Sequence, residues 1–159
     1  MPFHFPAHAR HPALRQFYDY WLSKCRDGRI PGRDKIDPVE MRSFLRYVIM
    51  FDVERHPRCY RFRHRLVGTH IVELFAQDVT GGYVDEASSA EEYPNVYLRL
   101  AAVVDRREPV YGLYHAPTPR REFAKYEHLT VPLSSDGQEV DVLLGVRCGL
   151  GFERRMQSQ

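Results

Sequence analysis

Cysteine is scarce in this 159-residue chain. Cys25, Cys59 and Cys148 are the only three, none belongs to a C-x-x-C, and their number is odd. A disulfide framework and a structural zinc site therefore have no support. Cys25 and Cys148 sit in apolar patterns, where a free thiol acts as a small hydrophobe. No apolar run approaches the ~20 residues of a membrane span, and residues 1–11 hold no apolar stretch that would serve as a signal peptide. A reducing, bacterial-type cytoplasm is the expected compartment. An excess of charge of one sign is missing too: 23 basic and 21 acidic residues leave a net charge of +2, which gives nucleic-acid binding little footing. Within the basic set lysine is rare. Apart from Lys24, Lys35 and Lys125 every basic residue is an arginine, whose planar fork suits carboxylates and phosphates. Catalytic signatures are absent as well. There is no G-x-S-x-G and no H-E-x-x-H, and the basic connector from Arg26 to Arg33 has too few glycines for a phosphate loop.

What is present is enough for one core. Apolar residues make up 43% and aromatics 13%, and a chain of this length buries roughly 70% of its unfolded surface. Residues 1–11, with His4, His8 and His11, read as a loose tail. Pro12 then opens a helix, on which Leu14, Phe17, Tyr18, Trp21, Leu22 and Cys25 form one apolar stripe, with Gly28 as its end. So large a stripe must press on the body of the domain or on a second copy. Asp37, Pro38 and Glu40 predict a second helix by a capping-box variant, burying Met41, Phe44, Leu45 and Val48. Residues 12–46 thus form a helical extension. The period then changes to that of strands. Val48 to Val53 is a short apolar run and His56-Pro57-Arg58 a turn. Tyr60, Phe62, His64 and Leu66 then alternate with Arg61, Arg63, Arg65 and Val67. Thr69 caps a short helix carrying Ile71, Leu74 and Phe75. Ser88 and Ser89 introduce a longer helix near Pro94, which buries Val96, Leu100, Val103 and Val104. Three more strands follow, at Val110 to His115, Phe123 to Leu133 and Val140 to Cys148, with a hairpin loop at Ser134 to Gly137. Residues 150–159 read as a charged, frayed tail. The fold class is α+β: a five-stranded antiparallel sheet with helices gathered on one face.

In this order the pieces resemble the PAS domain, and more narrowly a bacterial stand-alone PAS-like family with a helical N-terminal extension. The resemblance rests on the Trp21 helix, Arg29-Ile30-Pro31-Gly32-Arg33, Asp37-Pro38, Arg65-Leu66-Val67-Gly68-Thr69, Asp78-Val79-Thr80-Gly81, Pro109-Val110-Tyr111, Tyr126-Glu127-His128-Leu129 with Pro132-Leu133, and Asp136-Gly137. It implies a sheet of order 2-1-5-4-3 over residues 47–149, whose concave face and flanking helices enclose a ligand cavity. It also implies signalling through dimer or partner contacts, with Phe17, Tyr18 and Trp21 of the first helix as the interface of a homodimer, or a regulatory protein as partner.

The resemblance also states what cofactors would need. Haem requires an axial histidine, for which His70 is the sole substitute, and a photoactive flavin requires a cysteine in the short helices after the second strand, where none stands. Both are disfavoured, and an unidentified small molecule is left as the ligand. Residues near the presumed cavity are His64, His70, Tyr111, His115 and Tyr126, together with Tyr114, Glu127 and His128. Aromatic walls with a few polar anchors describe a small-molecule pocket. Arg65 and Glu127 are candidates for an ion pair. The expectation is a non-catalytic sensory module with no metal, no nucleic acid and no membrane among its partners. The alternative is a small cone-fold enzyme of the ketosteroid-isomerase-like type, for which Asp141 and Glu127 are the acids available. A third, weaker reading has Arg61, Arg63 and Arg65 meeting nucleic acid.

Overall fold

Pro12 occupies the first helical position of α1 (Pro12–Lys24), where its missing N–H is no loss. His11 Nδ1 accepts the Ala13 N–H at 3.1 Å and caps the end. The helix stops at Lys24, three residues before the expected end. Cys25 is already extended, and Asp27 and Gly28, both at positive φ, make a tight turn closed by the Arg29 N–H to Arg26 C=O bond of 2.8 Å. This computed structural model describes residues 3–117 and 122–154.

The expected second α-helix is instead a run of tight turns ending in a 3-10 turn at Leu45–Tyr47. Asp37 Oδ1 accepts the Val39 N–H at 2.9 Å, and Glu40 binds Lys24 at 2.7 Å rather than reaching back to cap. The i→i+3 bonds that follow still bury Met41 and Phe44, so the apolar spacing was right and the helix type was not.

The five strands are β1 (Val48–Arg55), β2 (Tyr60–Val67), β3 (Val110–Pro117), β4 (Glu122–Leu133) and β5 (Val142–Arg154), all antiparallel, in the order β2-β1-β5-β4-β3. β5 continues through Arg154, so strand occupies much of the expected C-terminal tail. Between β2 and β3 the chain crosses over through α2 (Thr69–Phe75), α3 (Val84–Ala87) and α4 (Tyr93–Arg106). Gly68 precedes α2 where Arg46 O would lie only 2.2 Å from any Cβ, so no side chain is accommodated there. Ser89 Oγ accepts the Glu92 N–H at 3.2 Å, which sets the turn before α4.

The sheet is apolar on both faces and has two covers. On the inner face Ile49, Phe51, Phe62 and Leu143 pack under Ile71, Leu100 and Val103 of the crossover helices. On the outer face Met50, Leu129, Val131, Leu144 and Val146 pack against Leu14, Phe17 and Trp21 of α1. Burying Phe17 and Leu14 completely contributes roughly 1.5–3 kcal/mol each, and the Trp21 Nε1–H donates to Pro132 O at 3.1 Å. The candidate interface residues Phe17 and Trp21 therefore face inward, onto the chain's own sheet. Tyr18 is half-buried beneath the rings of Phe3 and Phe5.

Residues 3–11, expected to be loose, lie along the domain. Glu127, 1% exposed on the outer face of β4, accepts the Arg10 N–H at 2.9 Å, the His11 N–H at 2.8 Å and the Tyr111 hydroxyl at 2.7 Å. A carboxylate shut away from water needs such donors, and the leading segment supplies two of them.

Candidate ligand cavity

A register shift between Met50 and Phe51 shapes the inner face. Phe51 pairs with His64 but Met50 with Leu66, which leaves Arg65 as the extra residue of a bulge. Leu66 is thereby turned to the outer layer, while Phe62 stays in the inner one. The alternation read from the sequence breaks at this point. Arg65 pairs with Asp52 at 3.1 Å, not with Glu127. The other two arginines of β2 are engaged as well: Arg61 binds Asp85 and Glu86, and Arg63 donates to Gly81 O.

Between the inner face and the crossover lies a cavity of about 470 Å³, within the size range of small-molecule sites. Ile71, Phe75, Val84 and Val96 form its apolar side. The sheet contributes His64, Tyr114, Tyr126 and Arg147, and α4 contributes Arg99. His64 is fixed from both sides of its residue. Its backbone N–H donates to Gly82 O at 2.9 Å, and its ring Nδ1 lies 3.0 Å from the same oxygen. With the proton placed on Nδ1 to make that bond, Nε2 is left as an acceptor. Burial pushes the His64 pKa down to about 4, with Arg147 acting in the same direction, so the ring is neutral at physiological pH. His128 on β4, fully enclosed and edge-on to the Tyr114 ring, is held well below the ordinary histidine range by burial; its Nε2 lies 2.8 Å from the Thr130 hydroxyl.

Two arginines converge on Tyr126. Arg99 lies over the Tyr114 ring, 3.7 Å from its centre, in a cation–π contact, and its Nη1 donates to the Tyr126 hydroxyl at 3.3 Å. The Arg147 guanidinium is 5.8 Å from the Tyr126 ring centre and 5.9 Å from that of Phe51. Burial raises the Tyr114 pKa, so its phenol is neutral.

Of the five candidate ligand residues, His64, His115 and Tyr126 line this cavity, His115 from an exposed position. His70 and Tyr111 do not. His70 Nε2 accepts the Gly149 N–H at 3.0 Å, and its ring meets Tyr47 edge-on; a histidine so engaged is not offering an axial ligand to haem. Tyr111 sits on the outer face with its hydroxyl on Glu127 and the His8 ring against it. Glu127 shares that outer face, and Asp141 Oδ2 accepts the Ser135 hydroxyl in the β4–β5 turn. Neither acid of the enzyme alternative lines the cavity. The residues that sequence reading missed are Arg99, Arg147 and Glu92. Arg147 had a signal: it is the one charged residue between Val142 and Cys148, on the side opposite Val142, Leu144 and Val146. Arg99 falls three residues after Val96, within the apolar stripe of α4.

Among the described residues no group of histidine, cysteine and acidic side chains could hold a metal ion, and no helix is long and apolar enough to cross a membrane. None of the three thiols lines the cavity. Burial pushes the half-buried Cys25 up to about 11 and raises Cys148 as well, while Cys59 is exposed.

The family model described as PAS domain matches residues 9–148. Several solved structures share the fold at low identity. The PAS domain of Bordetella pertussis BvgS is 16% identical with a TM-score of 0.53, over 70% of this chain and 84% of that one. A LOV protein of Rhodobacter sphaeroides is 11% identical with a TM-score of 0.52, over 91% of this chain and 71% of that one. The LOV domain of the Erythrobacter litoralis EL346 blue-light activated histidine kinase is 15% identical with a TM-score of 0.51, over 66% of this chain and 95% of that one. No curated protein matches.

Proposed function

Because the chain belongs to the PAS domain family, we propose that it is a non-catalytic sensory module, which takes a small molecule into its inner cavity and reports occupancy through its outer layer. The observation that carries this reading is the cavity of about 470 Å³, where aliphatic and aromatic side chains such as Ile71, Phe75, Val96 and Tyr126 meet polar and charged ones such as His64, Glu92, Arg99 and Arg147. The neutral His64, the Tyr126 hydroxyl and the two arginines are recognition groups.

Light–oxygen–voltage domains are among the structural neighbours, one of them described with a flavin analogue. Covalent flavin photochemistry does not fit the residues here, because all three cysteines lie away from the cavity. Three unpaired thiols accord with work in the cytoplasm.

The readout is a protein partner or a second copy. Phe17 and Trp21 are engaged with the sheet, so a partner meets the outward side of α1, where Leu22 is 44% exposed, or the leading segment when it lifts. Native mass spectrometry of the purified protein, followed by a thermal-shift screen of a chemically diverse library, tests the reading. The expected result is a small-molecule adduct, or compounds that raise Tm, accompanied by altered hydrogen exchange at residues 9–14. A protein that carries nothing and is stabilised by nothing would overturn it.

A further inference from the structure

Three buried side-chain polar atoms have no hydrogen-bond partner among the described residues: Arg147 Nε, Glu92 Oε1 and Asp141 Oδ1. Two of the three, Arg147 and Glu92, belong to residues that line the cavity described above. They are of opposite character, a donor on a permanent cation and an acceptor on a carboxyl group. Native folds rarely leave such atoms unmatched, and where they do a water, an ion or a ligand is the usual explanation.

The charge pattern says which kind of ligand. Arg147 stands in the middle of β5, whose neighbours in the sheet are β1 and β4, and no carboxylate of the described residues is within ion-pair distance of it or of Arg99. The rings of Phe51 and Tyr126 lie by the Arg147 guanidinium and that of Tyr114 by Arg99, whose Nη1–H donates to the Tyr126 hydroxyl; none of these neighbours supplies a negative charge. A cation held away from water without a counter-charge is expensive, and here Arg147 and the half-buried Arg99 approach the same tyrosine. Glu92 opposes them with one negative charge, and His64 is neutral. The lining therefore lacks an anion near Tyr126 and a donor near Glu92.

We propose that the ligand is a small organic carboxylate, its anionic group neutralised by Arg147 and Arg99, which carries a hydroxyl or amino group that donates to Glu92. The aromatic side chains of Tyr114 and Tyr126 flank its body. This assignment rests on the sensory reading above and narrows it to one chemical class.

The test is calorimetry and thermal shift with a panel of hydroxy- and amino-carboxylates, each paired with its neutral amide, on the wild type and on Arg147→Gln, Arg99→Gln and Glu92→Gln. At least one acid of the panel binds, its amide binds at least about tenfold more weakly, and each arginine variant loses at least about tenfold in affinity for the acid, as expected for charge-assisted pairs. Glu92→Gln narrows the advantage of the hydroxy or amino acid over the analogue lacking that group. Without ligand, Arg147→Gln melts no lower than the wild type, since it removes an uncompensated buried charge. Arg99, half-buried on a helix, keeps the test open if Arg147→Gln does not fold. Amides that bind as well as acids, arginine variants that bind like the wild type, or a panel that is inert while neutral or cationic compounds raise Tm would each overturn the carboxylate and leave the sensory cavity standing. If nothing of any charge binds, the cavity reading falls, and this one with it.

Discussion

Glu127→Gln keeps the side chain's size and removes its charge, at a position where three donors converge. In the wild type the carboxylate receives Arg10 N, His11 N and the Tyr111 hydroxyl at 2.7–2.9 Å. Hydrogen bonds to a charged acceptor contribute about 1.5–3 kcal/mol and neutral ones about 0.5–1.5, so converting three of them loses roughly 3 kcal/mol. The neutral amide is easier to bury than the carboxylate, which offsets part of that loss. The net expected destabilisation is about 2 kcal/mol, or a fall in Tm of about 4–8 °C for a domain of this size. The loss is local first: Arg10 and His11 are held only at the end of the leading segment, and His11 also caps α1. Hydrogen exchange followed by mass spectrometry therefore shows residues 9–14 gaining deuterium faster than the sheet, while urea unfolding gives the global figure. A variant with Tm within about 1 °C of wild type and unchanged exchange at Arg10 and His11 would refute the claim that Glu127 holds the leading segment to the sheet.

Stability also falls with acid. His64 has an unfolded pKa near 6.5 and a folded one of about 4, so below pH 6.5 the unfolded chain takes up the proton first, and stability drops progressively until about pH 4. The shift sets the His64 share at about 3 kcal/mol, and the lowered His128 acts in the same sense. Urea midpoints from pH 7.5 to 4.5 and an NMR titration of the rings check this, and a His64 that titrates near 6.5 would contradict it. Gly68→Ala places a Cβ 2.2 Å from Arg46 O and costs at least about 1–3 kcal/mol, as forced overpacking does; an unchanged urea midpoint would show that the chain before α2 gives way freely.

Much of the fold was legible because its periods are clean. The α1 stripe, the Tyr60–His64 alternation and the strand-turn-strand run at the C-terminus each follow one repeat; their order gave the five-stranded antiparallel sheet, and the strand order came from the PAS resemblance that the order supports. What escaped was set by geometry that a repeat does not carry. The extra residue at Arg65 moves Leu66 to the outer layer, and the Asp37 turn replaces a helix whose capping residues looked correct. The leading segment looked loose because nothing local in it is periodic. Its partner, Glu127, lies more than a hundred residues away in sequence.

The cavity was harder to read for a related reason. Sequence reading collected histidines and tyrosines, which mark polar work in an apolar region, but it could not tell the two faces of β3 and β4 apart. Tyr126 and Glu127 are neighbours in the chain and stand on opposite faces of β4, one against Arg99 in the cavity and the other holding Arg10 and His11. That adjacency gives the proposed sensing a short physical route. A ligand that draws Arg99 away from Tyr126 changes what one side of β4 rests on, and the next residue along is the anchor of the outer layer. The coupling must run both ways: a leading segment held firmly on Glu127 favours one position of β4, and with it one arrangement of the cavity wall. No long chain of contacts is needed, since the two sites share a single strand one residue apart.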